Sequence, residues 1–160
     1  MKQKKLIASV LVGNTMEFYD FIVFAFMSKQ ISALFFPNAD ILVSYISTFA
    51  VFASGYLMRP IGGLFFGYIG DKYGRKVSLS YSVLIITVST FFIGLLPTYQ
   101  YAGILAPVLL TLCRLLQGFS VSGEQGGAAV YLSEMVGSNK LAYSGSMVLG
   151  SAYFGVLLGS

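Results

Sequence analysis

Runs of about twenty apolar residues recur along the chain with short polar interruptions between them, and each is long enough to cross ~30 Å of bilayer hydrocarbon as a helix. The runs predict helices over residues about 6–28, 42–69, 77–96, 104–133 and 143–160. The fold class is therefore all-α, a multi-pass transmembrane helical bundle. Composition points the same way, because 56% of the residues are hydrophobic and 10% are charged, where soluble domains carry roughly a quarter charged. Tryptophan is absent, so any aromatic belt at the interfaces must be built from tyrosine.

The net charge of +4 does not indicate nucleic acid as a partner, because the basic residues bracket the apolar runs instead of forming a stripe interleaved with base-stacking positions. They read as topology signals facing membrane lipid. Lys2, Lys4 and Lys5 precede the first helix, and Lys72, Arg75 and Lys76 lie between the second and third; the intervening connection "SKQISALFFPNAD" holds only Lys29. That asymmetry places the N-terminus in the cytoplasm, with the link around Lys140 on the same side. "MKQKK" is similar to the basic start of a signal peptide, but Asn14, Glu17 and Asp20 interrupt the run behind it and no convincing small-residue cleavage site follows, so the segment should remain as a helix. The single cysteine, Cys113, lies in an apolar run and reads as packing, and there is no histidine. Neither a metal site nor a cofactor is expected. No nucleophile has an evident base, which leaves an intramembrane enzyme without support.

The last run, "YSGSMVLGSAYFGVLLGS", is about eighteen residues long and stops at Ser160 without a charged flank. The expectation is a truncated fifth span, with a natural short membrane protein as the alternative. Gly63 with Gly67 and Gly155 with Gly159 have the four-residue spacing that lets helix backbones approach closely in lipid. No linker or low-complexity segment divides the chain, so residues 1–160 are read as one membrane-embedded unit.

Ionisable residues inside the apolar runs are the candidate functional groups, since each costs ~2.5–3.5 kcal/mol at mid-membrane on insertion scales. In "GNTMEFYDFIVFAF", Asn14, Glu17 and Asp20 fall within about 120° of one another on the first helix. In "RLLQGFSVSGEQGG", Arg114, Gln117, Glu124 and Gln125 share an arc of about 100° on the fourth, interrupted by Val121. Those faces must meet protein or water. A carboxylate from the first helix, or Glu124, could neutralise Arg114, and could also take up a proton or yield Arg114 to an anionic group on a solute. A fixed ion pair that only joins the two helices is the alternative. Arg59, in "MRPIGG", is expected to snorkel toward cytoplasmic headgroups beside the helix-opening Pro60, with carboxylate binding as its second reading.

The link "GYIGDKYGRK" combines turn-permitting Gly70 and Gly74 with Asp71 and three bases. It resembles the G-x-x-x-D-x-x-G-R-K pattern of the major facilitator superfamily at Gly67, Asp71, Gly74, Arg75 and Lys76. Arg114, Gln117 and Gly118 resemble that superfamily's fourth-helix R-x-x-Q-G motif, and "GNTMEFYDF" and "RPIGG" look like the first- and second-helix motifs of its metabolite:proton symporters, particularly those of proline/betaine type. The resemblance covers the whole chain. It implies twelve helices in two halves that rock about a central site, of which this chain would form the N-terminal five.

By the same resemblance, Arg114 would take part in proton coupling, Glu17 and Asp20 would border the solute pathway, and Asp71, with Arg75 beside it, would act in a cytoplasmic gate completed by the C-terminal half. The partners implied are protons and a small polar osmolyte such as proline or betaine, at the plasma membrane. A carboxylate:proton symporter of 2-oxoglutarate or citrate type and a non-transporting fragment are the rival readings.

Overall fold

The computed structural model describes the backbone over residues 2–37, 40–136 and 141–160, and the side chains there except at 2–6, 9, 124–131, 133–136 and 141. Among the described residues the chain forms seven helices and no strand: α1 (Lys2–Phe26), α2 (Ser28–Phe35), α3 (Ile41–Tyr73), α4 (Arg75–Leu95), α5 (Tyr99–Ala102), α6 (Leu105–Val136) and α7 (Leu141–Gly159). Three of these, α3, α4 and α6, are long and apolar enough to cross a membrane, and α1 with α2 makes a fourth if the bent pair counts as one span. The chain is a multi-pass membrane protein.

Two connections differ from their sequence reading. The segment after Phe26, expected as a loop, turns by 65° at Met27 and continues as α2. It does so because Ser32 and Phe35, three residues apart, share a face that can be buried, and Phe35 joins Phe24, Val51, Ala106 and Leu110 in the apolar core. The second difference is the basic link, which shrinks to one residue. Helix α3 runs on through Tyr73, and Gly74, at φ 98°, reverses the chain into α4. Only glycine adopts that conformation without strain. Gly70, expected to serve the same turn, instead lies within α3, where a Cβ would sit 2.7 Å from Arg75 Nη1. The hairpin is fastened from inside by Ser78, whose buried hydroxyl donates to the Phe66 carbonyl at 2.8 Å.

Helix α6 is the centre of the bundle, in contact with α1, α3, α4, α5 and α7. Its face toward α3 is stripped of side chains at Gly118, where a Cβ would collide with the Gly55 carbonyl, and Gly62 on α3 meets the Phe119 carbonyl in the same way. Without hydrophobic drive between helices in lipid, association depends on such close backbone contact. The two glycine pairs singled out by spacing divide here. Gly155 and Gly159 pack against α1 at Thr15 and Ile22, whereas a Cβ at Gly67 would meet nothing within 4 Å and one at Gly63 only Ser122. Outward positions such as Leu57 and Leu64 are apolar and exposed, as expected of surface that faces acyl chains.

Overpacking this contact should be costly. Gly118→Leu is expected to destabilise the bundle by ~3 kcal/mol or more, since backbone on backbone leaves no side chain to move aside. Gly67→Ala should be neutral or slightly stabilising. Thermal unfolding in detergent separates the two, and a Gly118→Leu protein that melts with the wild type would show that α3 and α6 do not meet here.

Candidate functional site

The i, i+3 spacing of Arg114 and Gln117 sets both side chains on one face of α6, aimed at α1. There they converge on one carboxylate oxygen. Asp20 Oδ2 lies 3.2 Å from Arg114 Nη1 and accepts a hydrogen bond from Gln117 Nε2 at 3.1 Å. Gln117 Nε2 also donates to Thr90 Oγ1 on α4 at 2.8 Å, so one polar cluster joins three helices. Arg114 and Gln117 are almost fully buried, while the Asp20 side chain keeps 23% of its surface exposed. The guanidinium also lies over the Phe24 ring, 3.7 Å from its centroid.

The exposed part of Asp20 opens into a cavity of about 380 Å³ between α1 and α4, lined by Gly13, Met16, Glu17, Tyr19, Asp20, Val83, Ile86, Thr87 and Thr90. Glu17 is buried in its wall. Size and lining suit a small polar solute, with a few polar groups set in a largely apolar surface. A larger cavity of about 510 Å³ lies among α2, α3, α5 and α6, but no carboxylate or cation lines it. The smaller one is the better candidate because the ionisable groups are there.

The arrangement can do two things. Arg114 and Gln117 hold Asp20 at a fixed point of the cavity wall, and protonation of Asp20 would cancel the charge that faces the guanidinium. An anionic group entering the cavity would compete with Asp20 for the same donors.

The other predicted positions are placed as follows. Asn14 is buried away from the ion pair and donates through Nδ2 to the Val148 carbonyl at 2.9 Å and to Ser151 Oγ at 2.8 Å. With Thr15, which donates to the Ser151 carbonyl at 3.0 Å, it fastens α1 to α7. The side chain of Glu124 lies outside the described residues. The Arg59 guanidinium rests over the Tyr56 and Phe21 rings, at 4.3 and 4.9 Å, because both faces lie within reach on α3 and α1.

In the link, Asp71 pairs with Arg75 at 2.5 Å in an i, i+4 contact, Gly67 is one turn above it, and Lys76 is exposed. Thr90 and Thr87 were missed. Their three-residue spacing in "TVST" is the only trace, a weak one in a helix with many hydroxyls.

The ion pair thus stands at the wall of a solute-sized cavity within a bundle of apolar helices. Sequence comparison gives the class: a profile described as "Sugar (and other) transporter" matches residues 6–160. The chain belongs to that family, within the major facilitator superfamily.

Among its relatives, the proline/betaine transporter of Salmonella typhimurium is 43% identical over 159 residues, which cover 99% of this chain and 32% of the relative. The glycine betaine/proline/ectoine/pipecolic acid transporter of Dickeya dadantii is 42% identical over 157 residues, 98% of this chain and 31% of the relative. A putative proline/betaine transporter of Staphylococcus aureus is 49% identical over 136 residues, 83% of this chain and 29% of the relative. The chain thus spans about a third of the length of these curated relatives. No solved structure gives a significant match.

Two stability measurements test the site geometry. Asp20→Asn should destabilise the bundle by ~3 kcal/mol by leaving Arg114 buried without its counter-charge, and Asp20→Asn with Arg114→Gln should cost less than the two single changes added together. Strict additivity in the detergent melting cycle would refute the pairing. Asp71→Asn should shift stability by less than ~1 kcal/mol, because that pair is solvent-exposed.

Proposed function

We propose that this chain forms the N-terminal part of a proton-coupled symporter that imports a small polar osmolyte, of the proline or betaine class, across the plasma membrane. The observation that carries the reading is the Asp20–Arg114 pair, with one member exposed to a solute-sized cavity and the other buried. A proton arriving at Asp20 would weaken its hold on Arg114, freeing the guanidinium and Gln117 for a solute carboxylate; loss of the proton would restore the pair and expel the solute. Ion and solute are thereby linked through a single set of donors. The osmolyte choice draws support from the names of the relatives.

The remaining parts of the proposal concern assembly. Activity would require the other two-thirds of length that the relatives possess, on the same or a second polypeptide. The N-terminus would face the cytoplasm, as the lysine and arginine distribution argues. Asp71 and Arg75 would then lie at the cytoplasmic end of the α3–α4 hairpin and act in a gate against the second half.

Uptake of labelled solutes into cells expressing the native gene provides the test. Betaine or proline should accumulate with a pH gradient as driving force. Asp20→Asn, Glu17→Gln and Arg114→Ala should each abolish accumulation, by at least about a hundredfold in rate if each acts in the coupled step, while membrane insertion persists. Full accumulation by Arg114→Ala would overturn the coupling role. Import of 2-oxoglutarate or citrate without betaine would replace the osmolyte by a carboxylate.

A further inference from the structure

Arg59 is held by aromatic rings from two helices. Among the described residues no carboxylate pairs with it, and its Nε is buried without a hydrogen bond. What holds it is aromatic: the guanidinium carbon lies 4.3 Å from the Tyr56 centroid and 4.9 Å from that of Phe21, and the two rings are 5.6 Å apart and tilted by 59°. Two converging ring faces around a cation form the kind of site that accepts organic ammonium groups. Phe21 is buried and fixed, whereas Tyr56 is 45% exposed, so one wall is anchored and the other accessible.

Building on the osmolyte reading above, we propose that Tyr56, Phe21 and Arg59 form a recognition site for zwitterions with a permethylated ammonium. The Arg59 guanidinium occupies the ring faces while the site is empty. Before it reaches Arg114, an arriving zwitterion satisfies both halves of the arrangement: its carboxylate takes the Arg59 guanidinium in a bidentate contact and draws it off the rings, and its ammonium takes the vacated faces. The cation is exchanged on the rings, and the unpaired arginine gains a counter-charge.

Methylation matters because a quaternary ammonium has no N–H to satisfy and loses little on leaving water for an aromatic surface. A primary or secondary ammonium would be left with donors that ring faces satisfy poorly. The site is also joined to the ion pair. Phe52 packs on Phe21 and Tyr56 and stacks on Phe24 at 5.5 Å, and Phe24 lies under Arg114. A continuous aromatic run thus links the two guanidiniums.

The test uses the protein expressed from its native gene and reconstituted in proteoliposomes, with KM measured for glycine betaine and for proline. Tyr56→Leu should raise the betaine KM about tenfold and the proline KM less than about threefold, whereas Tyr56→Phe, which keeps the ring, should hold the betaine KM within about twofold. Arg59→Gln should raise both. An unchanged betaine-to-proline ratio in Tyr56→Leu overturns the site while leaving osmolyte transport standing. Absence of uptake of both solutes by the wild type would instead defeat the underlying reading and the site with it.

A second measurement needs no variant. Glycine betaine, dimethylglycine, sarcosine and glycine should inhibit wild-type uptake with strength that falls at each lost methyl. A flat series overturns the proposal even if Tyr56→Leu fails to insert.

Discussion

A guanidinium carried into the interior of a helical bundle needs a negative charge held against it, and the contact between Arg114 and Asp20 meets that need across 3.2 Å. Much of the local architecture follows from this requirement. Helix α1 must bring its polar face to α6, and Gln117, which also donates to Thr90, must add a second donor to the carboxylate. Unpaired, either charge would carry several kcal/mol of desolvation cost. Paired, they hold a titratable oxygen on the wall of a cavity.

Close backbone contact supplies the rest of the cohesion. Aliphatic side chains gain little by leaving lipid for protein, so α3 and α6 associate where Gly55 and Gly118 allow their backbones to touch. The aromatic run from Tyr56 through Phe52 to Phe24 adds directional contacts between α1 and α3, with an arginine at each end. These same rings provide a surface that a cation can share.

The spans were legible because apolar length is a local property. The stretches around 42–69, 77–96 and 104–133 correspond to α3, α4 and α6, and the polar arcs at Glu17, Asp20, Arg114 and Gln117 mark buried faces by helical geometry alone. Details that depend on three-dimensional neighbours were not legible. Asn14 shares an arc with Asp20 but faces α7, because a helix with two partners divides one polar face between them. Gly67 has ideal spacing and no neighbour, while Gly118 has no such spacing and a carbonyl against it. Nothing local in the sequence marks the contact of Arg59 with two rings from different helices.

By itself the sequence determined that this protein lives in a membrane, that its helices are long and apolar, and that the polar arcs of the first and fourth apolar runs must face protein or water, since lipid penalises their exposure to acyl chains. Only the tertiary structure decided which carboxylate oxygen faces Arg114, where the cavity opens, and which glycines carry the helix contacts. Those outcomes depend on the rotation and depth of one helix against another, which are set by packing among residues far apart in the chain and leave no periodic trace along it.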